Sequence, residues 1–123
     1  MKLAKSEEIL MEIIWKNGKV FMKDILDNYP EPKPASTTIA TLLKRMQQKG
    51  FIGYKQFGNS REYYALVKKS NYFSKHVKGI IKNYFGNSNL QFASFFTTTG
   101  NLSTEELKEL KKIIDTEIKK KKK

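Results

Sequence analysis

The sequence predicts a mainly α-helical chain with one small β-hairpin. Apolar residues recur at helical spacing in several separate stretches, and glycines and prolines punctuate the junctions between them. One central stretch instead gathers aromatic and β-branched residues around a Gly-Asn-Ser turn. The chain has 123 residues, enough for one domain or for a small domain with an appendage.

The first helix is signalled by Ser6, an N-cap candidate, with Glu7 and Glu8 at the positive end of the helix dipole. Ile9, Leu10, Ile13 and Ile14 follow on one face, and Gly18 ends the helix after Asn17. Val20, Met22, Ile25, Leu26 and Tyr29 predict a second, shorter helix, stopped by Pro30, Pro32 and Pro34. A third helix begins near Ser36. There Ile39, Leu42, Leu43 and Met46 must face inward, leaving Thr37, Ala40, Thr41, Lys44, Arg45 and Gln48 outside. Gly50 closes it as a C′ residue, with Lys49 at the negative end of the dipole.

Residues 51–57 and 62–67 then read as strands around the turn Gly58-Asn59-Ser60, with Lys55 on the first strand and Arg61 beside the tip. Three helices followed by a hairpin within residues 1–67 is the element order of a winged helix-turn-helix.

Residues 68–118 return to helix. Phe73, Val77, Ile80, Ile81 and Tyr84 form one stripe, broken by Gly86-Asn87-Ser88. A short apolar piece over 90–96 and a loop over 97–100 come next. The last helix opens with Ser103 as N-cap, Glu106 three residues on, and Leu102 and Leu107 as a hydrophobic staple. Leu107, Leu110, Ile114 and Ile118 continue its apolar stripe, with Ile113 at the edge. These helices enclose little core alone, so their stripes need the N-terminal unit or a second copy of the chain. The expectation is a homodimer closed by Phe73, Val77, Ile80, Ile81, Tyr84, Leu107, Leu110 and Ile114, with residues 119–123 as a basic tail.

Charge narrows the partners. There are 24 Lys+Arg against 12 Asp+Glu, a net charge of +12. Residues 1–66 hold 11 and 7 of these, and residues 67–123 hold 13 and 5. A terminal lysine run attracts phosphate without reading sequence. More telling is that residues 32–61 contain no acid at all, as a surface facing a phosphate backbone requires. With no cysteine and one histidine, His76, disulfides, thiolate metal sites and a Cys nucleophile are excluded. No nucleophile–base pair, phosphate-cradling glycine loop or metal cluster is visible, so neither an enzyme nor a cofactor is expected. No apolar run approaches the ~20 residues that span a bilayer, and two acids precede any long apolar stretch. The expected setting is cytoplasmic, without membrane insertion.

The candidate contacts to double-stranded DNA are therefore Ser36, Thr37, Thr38, Ala40, Thr41, Lys44 and Arg45 on the third helix. Thr37 and Thr41 can reach base edges or phosphates, Ala40 can meet a thymine methyl, and Lys44 and Arg45 neutralise phosphate or read guanine. Ser36 either bonds phosphate or caps its helix. Asn59, Ser60 and Arg61 form the wing tip. Trp15 reads as packing, one of Tyr63 and Tyr64 as buried, and His76 as a surface residue. The competing reading is a protein-interaction adaptor that offers the same surface to an acidic protein.

Several motifs resemble the penicillinase-repressor family, the winged-helix regulators of β-lactam resistance genes. They are Ser6-Glu7-Glu8-Ile9-Leu10-Met11 with Ile13-Ile14-Trp15, and Ser36-Thr37-Thr38-Ile39-Ala40-Thr41-Leu42-Leu43-Lys44-Arg45-Met46. Lys49-Gly50-Phe51-Ile52, Tyr63-Tyr64-Ala65-Leu66-Val67, and Leu102-Ser103 followed by Glu105-Glu106-Leu107 extend the likeness over roughly residues 5–118. The resemblance implies a dimeric repressor of a palindromic operator, with an N-terminal reading domain and C-terminal dimerisation helices. It also implies derepression through a membrane-sensor protease pathway that cuts the C-terminal domain, commonly at an Asn-Phe bond. The corresponding stretch here is Ala93-Ser94-Phe95-Phe96-Thr97, in which no Asn precedes a Phe, so Ser94, Phe95 and Phe96 mark the candidate cleavage region. Ala40 stands where relatives often carry an arginine.

Overall fold

The structure, a computed structural model, describes residues 2–122; Met1 and the last lysine of the expected tail, Lys123, lie outside the described residues. The elements are α1 (Lys5–Asn17), α2 (Met22–Asn28), α3 (Ser36–Gln48), β1 (Ile52–Phe57), β2 (Ser60–Ala65), α4 (Lys69–Tyr84), α5 (Asn89–Thr99) and α6 (Thr104–Lys121). The fold is mainly helical with one antiparallel hairpin, as the sequence predicts. The chain forms two compact units, Met1–His76 and Val77–Lys123. The division falls inside α4, beyond the 67/68 boundary expected from the sequence. Tyr72 explains the difference: it is buried, its hydroxyl accepts the Leu3 N–H at 2.9 Å, and its ring meets Phe51 and Trp15. Phe73 packs against the same core, so it is drawn into the first unit and away from the apolar stripe assigned to a partner.

The core of the first unit gathers Leu10, Met11, Ile14, Ile25, Ile39, Leu43, Met46 and Ile52, all almost wholly removed from water. Each such side chain is worth roughly 1.5–3 kcal/mol of transfer free energy. The N-cap of α1 is Ala4, two residues before the expected Ser6. Glu7, at N3, accepts the Ala4 N–H at 2.8 Å, a bond that anchors the helix start without a hydroxyl at N-cap.

Glu7 also ties two helices together. Its carboxylate is fully buried and accepts two further 2.8 Å bonds, one on each oxygen, from Lys49 Nζ at the end of α3, with Arg45 Nη1 3.6 Å away. Burial by itself raises the pKa of this carboxyl. The Lys49 bonds, the Ala4 N–H and the nearby Arg45 charge outweigh that effect and hold it below its ordinary value.

Val20, expected in the second helix, instead bridges to Tyr63 on β2 through paired backbone bonds of 2.9 and 2.7 Å. Helix α2 starts later because Asp24 accepts the Phe21 N–H at 2.9 Å, fixing Phe21 as N-cap. Helix α3 ends in a Schellman motif: Phe51 N–H donates to Met46 O and Gly50 N–H to Gln47 O, both at 3.0 Å, with Gly50 at φ +80°. The chain then turns straight into β1. The hairpin closes through Gly58-Asn59 alone, since Ser60 already pairs with Phe57 and Arg61 with Gln56. Gly58, at φ +58°, occupies the first position of a two-residue loop, where a II′ turn demands positive φ.

In the second unit the apolar piece over 90–96 and the expected loop over 97–100 are one helix, α5, capped by Gly100. Ser88 Oγ caps its start by accepting the Gln91 N–H, and the Thr97 and Thr98 hydroxyls bond back to carbonyls a turn earlier. Helix α6 opens with the expected capping box: Glu106 N–H donates to Ser103 Oγ at 3.1 Å and Ser103 N–H to Glu106 Oε1 at 3.0 Å. These bonds lower the Glu106 pKa. The helix continues to Lys121, so most of the expected tail is helical, its cations favoured at the negative end of the dipole.

Because its folded pKa lies below the ordinary value of 4.5, Glu7 contributes stability that is complete above about pH 4.5. That contribution disappears as the pH falls through the depressed value. Glu7→Gln should cost roughly 3 kcal/mol near neutral pH, by leaving Lys49 without its counter-charge. Urea denaturation across pH 2 to 7 checks this: the variant should lose less stability on acidification than the parent.

Candidate nucleic-acid interface

Helix α3 turns about 100° per residue. On that wheel Thr37, Thr41, Lys44 and Gln48 lie on one line, opposite the buried Ile39, Leu42, Leu43 and Met46. Ala40 flanks the line on one side, and Arg45 on the other. Ser36, Thr37, Thr38, Ala40, Thr41, Lys44 and Arg45 are all exposed, so every residue chosen on this helix from its sequence faces outward. Ser36 is the first helical residue, because Ala35 is the N-cap.

The line is not chemically uniform. Thr41 Oγ1 donates to Thr37 O at 3.1 Å, which commits its proton and leaves its lone pairs free to accept. Lys44 has no acidic partner among the described residues. Arg45 leans toward the core boundary, where it lies 3.6 Å from the Glu7 carboxylate while about half of its side chain stays exposed. Arg45 is thus partly engaged within the protein, and Lys44 is the free cation at the centre of the face.

The hairpin supplies a second group. Asn59, Ser60 and Arg61 are exposed, and the Arg61 guanidinium sits 4.2 Å from the centroid of the Tyr54 ring. Lys55 Nζ lies 5.2 Å from the Phe57 ring centroid. These cation–π contacts stiffen long side chains that would otherwise sample many rotamers. Asn59, Ser60 and Arg61 share an open groove with Phe21, Met22 and Lys23 at the start of α2. Lys23 was not distinguishable from any other surface lysine in the sequence; only the fold brings it beside the wing.

The remaining candidates have clear places. Trp15 packs against Tyr72 and Phe73 and donates its indole N–H to Val67 O at 2.8 Å. Tyr63 is buried, while Tyr64 lies across Gly53, where a Cβ would come within 3.1 Å of its hydroxyl oxygen. His76 stacks on Tyr72. Val77, Tyr84, Leu107 and Ile114 are exposed, Ile80 and Leu110 are half-buried, and Ile81 is buried. Ser94, Phe95 and Phe96 lie in α5 with exposed side chains. Among the described residues no His, Cys, Asp or Glu cluster could hold a metal ion, and no helix is long and apolar enough to cross a membrane.

Comparison with known proteins gives a consistent set of likenesses. The family described as "Penicillinase repressor" matches residues 3–116. The methicillin resistance regulatory protein MecI of Staphylococcus aureus (strain N315) is 29% identical over 115 residues, covering 93% of this chain and 94% of that protein. The penicillinase repressor of Bacillus licheniformis is 22% identical over 115 residues, 93% of this chain and 90% of that protein. A solved structure titled "CopR Repressor Structure" aligns with 55% of this chain and 100% of its own, at 26% identity and a TM-score of 0.47.

Proposed function

The chain belongs to the penicillinase-repressor family, and from that premise we propose that it acts as a homodimer that holds a palindromic operator closed to transcription. It is a transcriptional repressor of the penicillinase/MecI type, and such repressors are not enzymes. The observation that carries the finer reading is the exposed face of α3: hydroxyls, one free lysine and no carboxylate, backed by a rigid apolar core. Laid in the major groove, it directs Thr37 and Thr41 at base edges or phosphates and Ala40 at a thymine methyl. Lys44 neutralises a phosphate, Arg45 assists from the flank, and Ser36 and Thr38 lie at the rim. Asn59, Ser60 and Arg61 meet the neighbouring backbone or minor groove. The action is cytoplasmic, where the operator is.

Dimerisation rests on the second unit. Tyr84 is 79% exposed and Leu90 84%, and Leu107, Ile113, Ile114 and Ile118 all stand in water, far more apolar surface than a helical pair leaves open without a partner. A two-fold pair would set two α3 helices one DNA turn, or a multiple of it, apart. Cleavage within Ser94, Phe95 and Phe96 by a sensor-linked protease would separate α6 from α4 and weaken the dimer. Helix α5 buries no residue, so opening it for a protease costs little.

Two measurements test this reading. Lys44→Ala should weaken binding to operator and random duplex alike and lower the slope of log K against log[salt] by about 1. Arg45→Ala should lower it less, because Glu7 already holds part of that charge; equal slopes for Lys44→Ala and the parent would refute the assignment. In sedimentation velocity, Leu107→Asp with Ile114→Asp should run as a monomer and lose at least tenfold in operator affinity. A double variant that stays dimeric would place the interface elsewhere.

A further inference from the structure

The first unit carries another depression, of about 750 Å³, that shares no residue with the α3 face or the wing tip. Its walls are the last turn of α1, the bend at Gly18, the end of β2 and the segment leading into α4. The floor is apolar and half-buried, formed by Trp15, Tyr64, Ala65 and Val67. Trp15 cannot swing out of it easily: its N–H is bonded to Val67 O and its ring packs on Tyr72 and Phe73, 5.9 and 6.1 Å away. With its polar atom already satisfied, the indole offers a fixed π surface that asks for no further hydrogen bond.

The rim is cationic, with Lys16, Lys19, Lys68 and Lys69 around the floor and Glu12 as its one acid. Glu12 is held by Lys69 at 2.9 Å, and among the described residues the other three lysines have no acidic partner. Three uncompensated ammonium groups around a flat aromatic floor match a ligand with a planar apolar body and an anionic end. The volume lies within the range of small-molecule sites, about 300–1,000 Å³. A DNA strand would engage the lysines but leave the floor wet, and a purely acidic peptide run, with no ring to lay on Trp15, would do the same.

We propose that this depression binds a small aryl carboxylate, with the ring against Trp15 and the carboxylate among Lys16, Lys19 and Lys68. The site is independent of the operator reading, and the test needs no DNA. The chain has a single tryptophan, so the indole N–H gives one assignable NMR signal from the floor itself. Titration of the full chain with naphthalene-1-carboxylate should shift that signal saturably, and naphthalene-1-carboxamide should bind roughly tenfold more weakly. Replacing Lys16, Lys19 and Lys68 together by Gln, with Lys69 kept for Glu12, should bring the carboxylate down to the affinity of the amide. Equal affinities for acid and amide, a triple variant that binds as the parent does, or an absence of saturation would each overturn the proposal. So would a short poly-glutamate peptide that moves the indole signal as tightly as the aryl acid, which would assign the rim to an acidic protein segment.

Discussion

Glu7 has no exposed surface, yet it keeps its charge, because Lys49 donates to both oxygens at 2.8 Å and Arg45 stands 3.6 Å away. Removing a carboxylate from water costs several kcal/mol, and only close, well-oriented partners compensate for it. Lys49 lies 42 residues along the chain and Arg45 38, both at the far end of α3. Hydrophobic contacts alone allow α3 to slide or rotate by small amounts over α1, since apolar burial is non-directional. A doubly accepted ammonium does not. The buried pair thus fixes the register of the helix whose opposite face is the one proposed to meet DNA, and the Schellman turn after it fixes where the hairpin departs.

The same pair shapes the electrostatics of the surface. An acid near the interface would normally subtract from phosphate attraction. Glu7 does so very little, because its charge is cancelled inside the protein by Lys49. What reaches solvent from α3 is Lys44 and part of Arg45, joined on the hairpin by Arg61 and Lys55, each braced on an aromatic ring. In the proposed interface, a few well-placed cations rather than a dense basic patch would make binding depend on position. The lysines of α6 belong to the other unit, and in the proposed complex they would add only a general attraction.

Much of this was legible in the amino-acid sequence, and the losses have physical causes. The α3 face was readable because Ile39, Leu42, Leu43 and Met46 repeat at helical spacing and Gly50 marks the stop; each neighbour then falls on a known side of the wheel. The α6 start was readable because Ser103 and Glu106 satisfy each other's backbone donors locally. The N-cap of α1 falls two residues before Ser6 because Glu7, at N3, accepts the Ala4 N–H and fixes Ala4 there, which no hydroxyl at that position signals. The bridge that takes Val20 out of the second helix leaves no local signal, because its partner Tyr63 lies 43 residues away. The helical nature of α5 was hidden by three consecutive threonines, whose hydroxyls here bond back into the helix instead of breaking it. The role of Lys49 and the place of Lys23 beside the wing were not legible at all. Long-range ion pairs and grooves leave no periodic trace.

The contrast between the two units bears on how repression could be reversed. In the first unit an apolar core and a buried ion pair converge on α3, which gives it its own stability. Among the described residues of the second, Ile81 alone is buried, and α5 and α6 bury none. A helical segment with so little interior of its own cannot offset its conformational entropy and takes its stability from whatever covers it. Folding and association of that unit are then linked by mass action. Within the proposed repressor, any event that removes part of the apolar face, such as a cut in α5, weakens the dimer and lets the unit unfold in one step. The reading helices need not be touched. Each would keep its structure and its contacts to a half-site, and would lose only the effective concentration that joins two weak contacts into one tight one.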